Sequence, residues 1–319
     1  MNKYDLPPLP KHVKISPSLI CNLRCPLCPC GLGGITYPTK LMSLETFSII
    51  INKLPSSIKN VSLYNMGEPF LNPDLLLMIK KLKAKSYKIE VHSNFSFYRK
   101  DDFFEELIAS GLDILTLSID GASQATYSQY RQGGNFDLVM GNLRKIQKYN
   151  QEKINSTLKI VWKYLVNRYN ESELEKAKDI ADSLGIQFVT DVMGLGDDLV
   201  DYRLTTSLEA RKQTWLPAGK MYIKDCYKDK KTSYLFDCPC PELFSNSTIK
   251  PDGKIVGCCW VAKQENVFGD LITSSFEDIW YNNLYRYSRN LFKEGSDSQP
   301  CHTVCERCNN FKKILVKNK

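Results

Sequence analysis

The sequence predicts an α/β protein in which a parallel sheet curves into a partial barrel. Over roughly the first 200 residues, strand-like and helix-like segments alternate, and capping or turn residues separate six strand–helix units. The stretch 114–119 is nearly continuous in apolar residues, which is typical of a strand covered on both faces. Polar motifs follow the strand ends, where β/α barrels build their sites. These observations predict a partial (β/α)6 TIM-like barrel with a smaller C-terminal unit.

Each predicted strand is a short apolar-rich run bounded by polar or turn-forming residues. The third strand leads into Ser93 and Asn94, and the fourth leads into Ser118 and Asp120. The strands are predicted at 12–16, 60–65, 87–92, 114–119, 158–166 and 187–192.

The predicted helices between these strands have recognisable ends. Ser43 is expected to cap a helix that stops before a proline, and Asn72 opens a helix whose apolar residues recur on one face. Asn170, with Glu173 three residues later, has the pattern of a capping box before a further helix. The remaining helices of the barrel are predicted at 101–110 and 137–149.

The composition is that of a globular protein with a substantial core. Of the 319 residues 43% are hydrophobic, yet no apolar run is long enough for a membrane span and no secretory signal is visible. We therefore expect a cytoplasmic protein without a membrane partner, in which the 12 cysteines are metal or cluster ligands rather than disulfides. The net charge of +8 is spread along the chain, so no nucleic-acid partner is expected.

A loop after the first predicted strand contains three closely spaced cysteines, Cys21, Cys25 and Cys28. Neighbouring prolines keep this segment from becoming a helix. Three thiolates are one ligand short of a closed tetrahedral site, so a metal or cluster bound here keeps an open position for a substrate or cofactor. A structural zinc site is the alternative, and Cys30 could supply its fourth ligand.

This spacing resembles the cluster motif of the radical S-adenosylmethionine (SAM) superfamily. The resemblance implies that the three cysteines hold a [4Fe-4S] cluster whose open iron is chelated by SAM, and it places Leu27 close to the adenine. The run Gly67, Glu68 and Pro69 lies one strand–helix unit later and is similar to the segment that binds the SAM amino group. A carboxylate and exposed carbonyls on a sharp turn suit an ammonium group.

Further positions resemble family residues that contact SAM. In the family the third strand usually ends in Asn-Gly, whereas here Asn94 is followed by Phe95. The resemblance implies contacts with the ribose and carboxylate of SAM at Ser93, Asn94, Ser118 and Asp120, and with the carboxylate at Arg131.

A second cysteine set lies in the C-terminal region. Gly253 marks the turn of a predicted hairpin between two of its members, and a helical stretch is predicted at 276–292. Four thiolates complete a site without an open position, which suits a cluster or a structural zinc ion. Cys238 or Cys301 could replace one member. The predicted ligands are Cys240, Cys258, Cys305 and Cys308.

This region resembles the SPASM/twitch-type module, which carries an auxiliary [4Fe-4S] cluster. The predicted organisation follows from both resemblances: an N-terminal extension, a radical SAM core, a connecting segment and an auxiliary-cluster domain. Their predicted bounds are 1–12, 13–197, 198–237 and 238–319.

The resemblance implies an enzyme that reductively cleaves SAM to a 5'-deoxyadenosyl radical and abstracts hydrogen from a substrate C–H bond. A flavodoxin- or ferredoxin-type protein would be its electron donor. The auxiliary cluster favours a two-electron oxidation of a small alcohol, a sugar or a peptide. An epimerase or peptide maturase is the enzymatic alternative, with Cys259 or Cys226 as hydrogen donor. From another class, the chain could be a zinc-stabilised binding protein without catalysis.

Overall fold

The computed structural model describes residues 7–195, 206–223, 240–259, 266–291 and 303–308. Its described strands form one nine-stranded sheet, in the order β6-β5-β4-β3-β2-β1-β7-β8-β9. The first six pair in parallel between chain neighbours, as predicted. The described strands at the two ends of this order do not pair, so the sheet is a partial barrel. These strands are β1 (His12–Ile15), β2 (Asn60–Ser62), β3 (Lys88–Ser93), β4 (Ile114–Ser118), β5 (Lys159–Val166) and β6 (Gln187–Val192).

Helices cover one face of this sheet and bury alternate strand residues. Val91, Leu115 and Trp162 on that face are 0% exposed. Ser43 caps the first helix as predicted, because its side chain accepts a hydrogen bond from the backbone N–H of Thr46. The barrel helices are α1 (Leu44–Lys53), α2 (Leu75–Lys83), α3 (Asp101–Ala109), α4 (Gln124–Tyr130), α5 (Phe136–Glu152) and α6 (Leu174–Ser183).

Two local predictions in the barrel were wrong, and one short helix was missed. Strand β2 ends at Ser62, because the chain then bends into the loop that precedes Gly67. Asn170 and Glu173 do not cap α6; a short 3-10 turn precedes that helix, and neither residue makes a capping hydrogen bond. Both side chains serve tertiary contacts instead, since Asn170 donates to the carbonyl of Asp120 and Glu173 accepts from the N–H of Ala122. The remaining error is that α4 was not predicted.

The C-terminal strands continue the barrel sheet on its β1 side. β7 (Asn246–Ile249) runs parallel to β1, and β8 (Lys254–Val256) and β9 (Val267–Asp270) follow antiparallel. The hairpin turn lies at Gly253, whose φ of +86° suits glycine. The other described helices are α7 (Leu208–Trp215), α8 (Pro241–Phe244), α9 (Phe276–Trp280) and α10 (Asn283–Asn290).

The predicted helical stretch 276–292 is interrupted in the structure. α9 ends at Trp280, and Asn282 then caps α10 by accepting a hydrogen bond from the N–H of Tyr285. The predicted domain bounds stay predictions. Cys226, Cys238 and Cys301 lie outside the described residues. Within the part of the chain that the structure describes, no helix is both long and apolar enough to cross a bilayer.

Candidate active site

The cysteine loop follows β1 at the rim where the parallel strands have their carboxyl ends. Cys25 is 5% exposed, whereas Cys21 and Cys28 are half-buried. The loop folds back tightly, because the N–H of Cys28 donates to the carbonyl of Cys25 (3.1 Å). A Cβ on Gly31 would lie 2.3 Å from that same carbonyl oxygen, so only glycine fits there. The turn therefore gathers the three cysteines at one end of the barrel.

The donor set of this loop suits an iron–sulfur cluster. Burial raises the pKa of the Cys21 thiol to about 11 and that of the Cys25 thiol to about 12. The nearby Cys28 thiol contributes to the rise of both pKa values. The Cys30 thiol donates a hydrogen bond to Cys28 and so lowers the pKa of Cys28. Among the described residues no three Cys, His, Asp or Glu side chains form a group that could hold a metal ion. By residue type, three sheltered sulfur donors match an open cluster site, although the described residues are not drawn into the geometry of a single-ion site.

The turn at Gly67 packs directly on the cysteine loop. Gly67 has φ +81°, and a Cβ there would lie 2.5 Å from the carbonyl oxygen of Ser18. The N–H of Gly67 donates to the Cys30 sulfur (3.0 Å), and the N–H of Glu68 donates to the carbonyl of Ile20 (2.7 Å). Cys30 thus contacts both the predicted SAM-binding turn and a predicted cluster ligand.

The Glu68 carboxylate joins this turn to the end of β3. Its side chain is buried and accepts hydrogen bonds from the N–H of Phe70 (3.1 Å), the hydroxyl of Ser93 (2.8 Å) and the N–H of Asn94 (2.7 Å). Burial raises the pKa of Glu68 to about 7, while these hydrogen bonds act in the opposite direction. The structure therefore brings Glu68, Ser93 and Asn94 together, and their contacts with SAM stay a prediction. Pro69 begins the short 3-10 turn that follows.

Asn94 and Phe95 show how the chain departs from the family pattern. The Asn94 amide lies 3.7 Å from the Cys21 sulfur and 2.9 Å from the Asn22 side-chain oxygen. Phe95 has φ +53°, a left-handed conformation that glycine adopts without strain and other residues rarely adopt. The Phe95 ring is 0% exposed and packs edge-on against Phe70, which offsets the backbone strain.

Asp120 and Arg131 form a buried ion pair beside the cysteine loop. The Arg131 Nε lies 2.6 Å from the Asp120 carboxylate, which is 0% exposed and also accepts from the N–H of Leu165 (2.8 Å). One terminal nitrogen of Arg131 lies 4.0 Å from the Cys25 sulfur. Arg131 thus has its Nε engaged by Asp120 and places positive charge at the predicted cluster ligands. Ser118 ends β4, two residues before Asp120.

Leu27 belongs to a separate apolar cluster over the cysteine loop. It is buried with residues that follow β6 and with residues of α7 and its C-terminal end. Such a surface suits the predicted packing against an adenine ring, which stays a prediction. The partners of Leu27 in this cluster include Met193, Leu195, Trp215 and Leu216.

The inner face of the sheet is lined by polar residues that the sequence analysis missed. A cavity of about 330 Å³ lies against β3 to β6. Glu90 and His92 form one pair on its wall (2.7 Å), and Lys163 and Asp191 form another (2.6 Å). The Tyr64 ring stacks on His92 with a centroid distance of 3.6 Å. The available signal was the recurrence of charged or polar residues at alternate positions of β3, β5 and β6, such as Glu90 and His92, interspersed with apolar inward positions such as Val161.

The second cysteine set lies in the C-terminal region, where Cys240 precedes α8 and where Cys305 and Cys308 belong to a late 3-10 turn and its end. Burial raises the pKa of Cys240 to about 12 and that of Cys305 to about 11. The Cys308 thiol contributes to the rise of both pKa values. The N–H of Cys308 donates to the carbonyl of Cys305 (3.1 Å). Cys240, Cys305 and Cys308 influence one another electrostatically, so three of the four predicted auxiliary ligands lie in one region of the fold. Their residue type suits a thiolate-bound cluster. The fourth predicted ligand is Cys258, whose thiol raises the pKa of the adjacent Cys259.

Cys259 lies among charged groups of the inner face. Burial raises the pKa of its thiol well above the ordinary value, and Glu242 and Cys258 add to this effect. Lys14 acts in the opposite direction and forms an ion pair with Glu242 (2.6 Å). Burial, Glu242 and Cys258 therefore favour the neutral thiol of Cys259 over the thiolate.

Comparisons with family models agree with this arrangement. The Radical SAM superfamily model matches residues 15–179, and the SPASM iron-sulfur cluster-binding domain model matches residues 238–309. A GTP 3',8-cyclase of Lactiplantibacillus plantarum is 27% identical over 164 residues, which cover 50% of this chain and 48% of the relative. An AdoMet-dependent heme synthase of Methanosarcina barkeri is 25% identical over 167 residues, covering 52% and 45%. The chain thus spans about half the length of these curated relatives.

Solved structures share the fold at low sequence identity. Streptococcus suis SuiB bound to the precursor peptide SuiA has a TM-score of 0.66 at 15% identity, covering 98% of this chain and 72% of SuiB. Native anSMEcpe with bound AdoMet has a TM-score of 0.57 at 15% identity, covering 98% of both chains. BtrN in complex with AdoMet and 2-DOIA has a TM-score of 0.54 at 14% identity, covering 91% and 89%.

The family assignment also defines the cofactors. Radical SAM domains bind SAM at a [4Fe-4S] cluster, and SPASM domains carry auxiliary iron–sulfur clusters. The Radical SAM model covers more than half of the sequence, so the chain belongs to the radical SAM superfamily and carries a C-terminal SPASM domain.

Proposed function

We propose that this enzyme oxidises a C–H bond of an alcohol, a sugar or a peptide side chain by two electrons. The observation that supports this most is the second cysteine set, in which Cys240, Cys305 and Cys308 are sheltered from solvent and influence one another electrostatically. In this proposal the SAM-binding cluster is held by Cys21, Cys25 and Cys28, and the auxiliary cluster by the C-terminal set. When bound, SAM and the two clusters supply a radical that removes a hydrogen atom and an acceptor for the second electron.

The protein's own residues bind and orient the reactants. The Gly67 turn, which the buried Glu68 carboxylate joins to the end of β3, holds SAM at the rim, and the open pocket against β3 to β6 receives the substrate. An alcohol that becomes a carbonyl also loses a proton from oxygen. The Glu90–His92 pair lines the cavity and is placed to accept that proton, because the carboxylate orients the imidazole.

The substrate class includes peptides because two structural relatives were solved with peptides. SuiB is bound to its precursor peptide SuiA, and anSMEcpe is bound to the Cp18Cys peptide. The proposed substrate class also includes small molecules, because BtrN was solved in complex with 2-DOIA. A flavodoxin- or ferredoxin-type protein is proposed as the electron donor.

Redox-neutral epimerisation or peptide maturation is the second candidate, favoured by the position of Cys259. A protonated thiol can return a hydrogen atom to a carbon radical, and burial keeps the Cys259 pKa high. In that case no electron would leave the substrate, and the C-terminal cysteines would serve another purpose. Cys226 remains a predicted donor outside the described residues.

Product analysis separates the two reactions. Reconstituted enzyme would be incubated without oxygen with SAM, dithionite and a panel of polyols, amino sugars and serine- or cysteine-containing peptides in D2O. The oxidation predicts a carbonyl product without solvent deuterium on carbon, and Cys259→Ala should keep at least about half of the activity because no thiol donor is needed.

Solvent deuterium at one product carbon, together with loss of product but not of SAM cleavage in Cys259→Ala, would instead establish epimerisation. Ser247→Ala is the matched control, because Ser247 is also buried near this edge of the sheet but carries no thiol. Its activity should match that of the parent enzyme.

A further inference from the structure

Lys250 is a buried lysine that the proposed reaction does not use. It follows β7 directly, and its side chain is 0% exposed. The Asn65 side-chain amide can be oriented so that it bonds to Lys250 and to Cys259 at once. In this orientation the amide oxygen accepts a hydrogen bond from Lys250 Nζ (3.0 Å), and the amide nitrogen donates to the carbonyl of Cys259 (3.2 Å). Asn65 lies in the loop that leads into the Gly67 turn. Lys250 is thus fixed between this loop and the C-terminal hairpin.

Besides the Asn65 oxygen, several cysteine thiols influence the ammonium group of Lys250. The thiols of Cys259, Cys258 and Cys30 all act electrostatically on its ammonium group, with Cys259 the strongest. Glu242 is also near, but its carboxylate is taken by Lys14 at 2.6 Å. Within the described part of the chain, Lys250 has no salt bridge. Its positive charge therefore lies near Cys258, one of the four predicted auxiliary ligands, and is available to a negative group there.

A buried charge acts strongly on a nearby iron–sulfur cluster. Reduction adds one negative charge to a cluster, and a fixed positive charge stabilises the reduced form more than the oxidised form. The effect is larger in a site without solvent, because the surrounding dielectric constant is low. Burial lowers the pKa of Lys250, whereas the neighbouring thiols raise it. An anionic cluster would also raise the pKa and so favour the charged ammonium group.

We propose that the Lys250 ammonium raises the reduction potential of the auxiliary cluster and so makes the C-terminal site an electron acceptor. This inference rests on the proposed oxidation. In the proposed oxidation the substrate radical would lose one electron to the auxiliary cluster and one proton to the Glu90–His92 pair, which would leave the carbonyl product. Lys250 acts on this step through the cluster and does not touch the reacting carbon.

The test uses the Cys21/Cys25/Cys28→Ala protein, which isolates the auxiliary cluster and needs no substrate. Its midpoint potential would be measured by EPR-monitored redox titration. Lys250→Met should lower the equilibrium constant for reduction about tenfold, which is about 59 mV for a one-electron couple. Lys250→Arg keeps the charge and should stay within about threefold of the parent value. Lys254→Met is the matched control, because Lys254 lies on the same hairpin but is paired with Asp252 at 3.0 Å.

The outcomes separate this inference from the proposed function. No iron in the Cys21/Cys25/Cys28→Ala protein would contradict the auxiliary cluster and with it the oxidation. A cluster whose potential is unchanged by Lys250→Met would overturn only the role of Lys250, as would an equal shift in Lys254→Met. Lys250→Gln provides a second uncharged side chain. Loss of iron in both uncharged variants but not in Lys250→Arg would assign Lys250 to cluster assembly and overturn the proposal as well.

Discussion

Gly67→Ala is expected to abolish SAM binding at the turn that packs on the cysteine loop. Alanine at φ +81° costs about 1–2 kcal/mol from the left-handed backbone alone. Its Cβ would also lie 2.5 Å from the carbonyl oxygen of Ser18 and 2.9 Å from that of Ile20. Both contacts are with backbone, so the turn has to move away from the cysteine loop. We expect a more than hundredfold loss of 5'-deoxyadenosine formation with dithionite and SAM, roughly the cost of misplacing a reactive group by an ångström.

Gly185→Ala is the matched control for this substitution. Gly185 has φ +65°, so alanine meets the same kind of backbone strain, but nothing lies within 4 Å of the Cβ position. The Gly185→Ala variant should lose a similar free energy of unfolding from backbone strain, but it should cleave SAM at the parent rate. SAM cleavage by Gly67→Ala at a rate close to that of Gly185→Ala would show that the turn does not position SAM.

Asp120→Asn is expected to lower the free energy of unfolding by about 3–5 kcal/mol, because it leaves Arg131 as an uncompensated charge in a mostly buried site. Asparagine keeps the size of the side chain and an oxygen for the N–H of Leu165, so the lost term is mainly the ion pair at 2.6 Å. Chemical denaturation of the protein without its clusters measures this change directly.

Asp101→Asn provides the control for a charge change of the same kind. Asp101 pairs with Lys145 at 2.7 Å, but both side chains are about half exposed, so little change in stability is expected. Adding Arg131→Met to Asp120→Asn should recover part of the loss, because the unpaired charge is then removed. If Asp120→Asn proved no more destabilising than Asp101→Asn, the Asp120–Arg131 pair would not hold the loop as described.

The sequence predicted the barrel well because its signals are local. Each strand and most helices have ends marked by residues such as Ser43, whose capping contact is with Thr46, only three positions later in the chain. The parallel order of β1 to β6 then follows from the alternation of strands and helices. α4 was missed because its seven residues are too few for a clear helical period.

The wrong predictions come from long-range partners. Asn170 and Glu173 have the pattern of a capping box, but their side chains bind the loop after β4, fifty or so residues away. No local pattern shows that these tertiary hydrogen bonds are made in place of a capping bond. The same holds for Phe95, whose left-handed backbone depends on a buried aromatic cluster formed by distant parts of the chain.

The site was predicted only in part for a related reason. Motif resemblance indicated the cysteines and the Gly67 turn, yet it could not show that Glu68 holds the end of β3 or that Arg131 lies beside Cys25. The polar inner face depends on which strand positions point away from the helices. That becomes clear only when Lys163 meets Asp191 across neighbouring strands.

The central claim is that two cysteine sets hold two iron–sulfur clusters, one of which binds SAM. Its most direct test is iron and sulfide content with EPR after anaerobic reconstitution, comparing the parent protein with Cys21/Cys25/Cys28→Ala. Two [4Fe-4S] clusters predict about eight irons per chain in the parent and about four in the variant, with the SAM-responsive EPR signal lost. About four irons in the parent and none in the variant would remove the auxiliary cluster and the proposed oxidation with it. Zinc without iron in both proteins would contradict the whole account.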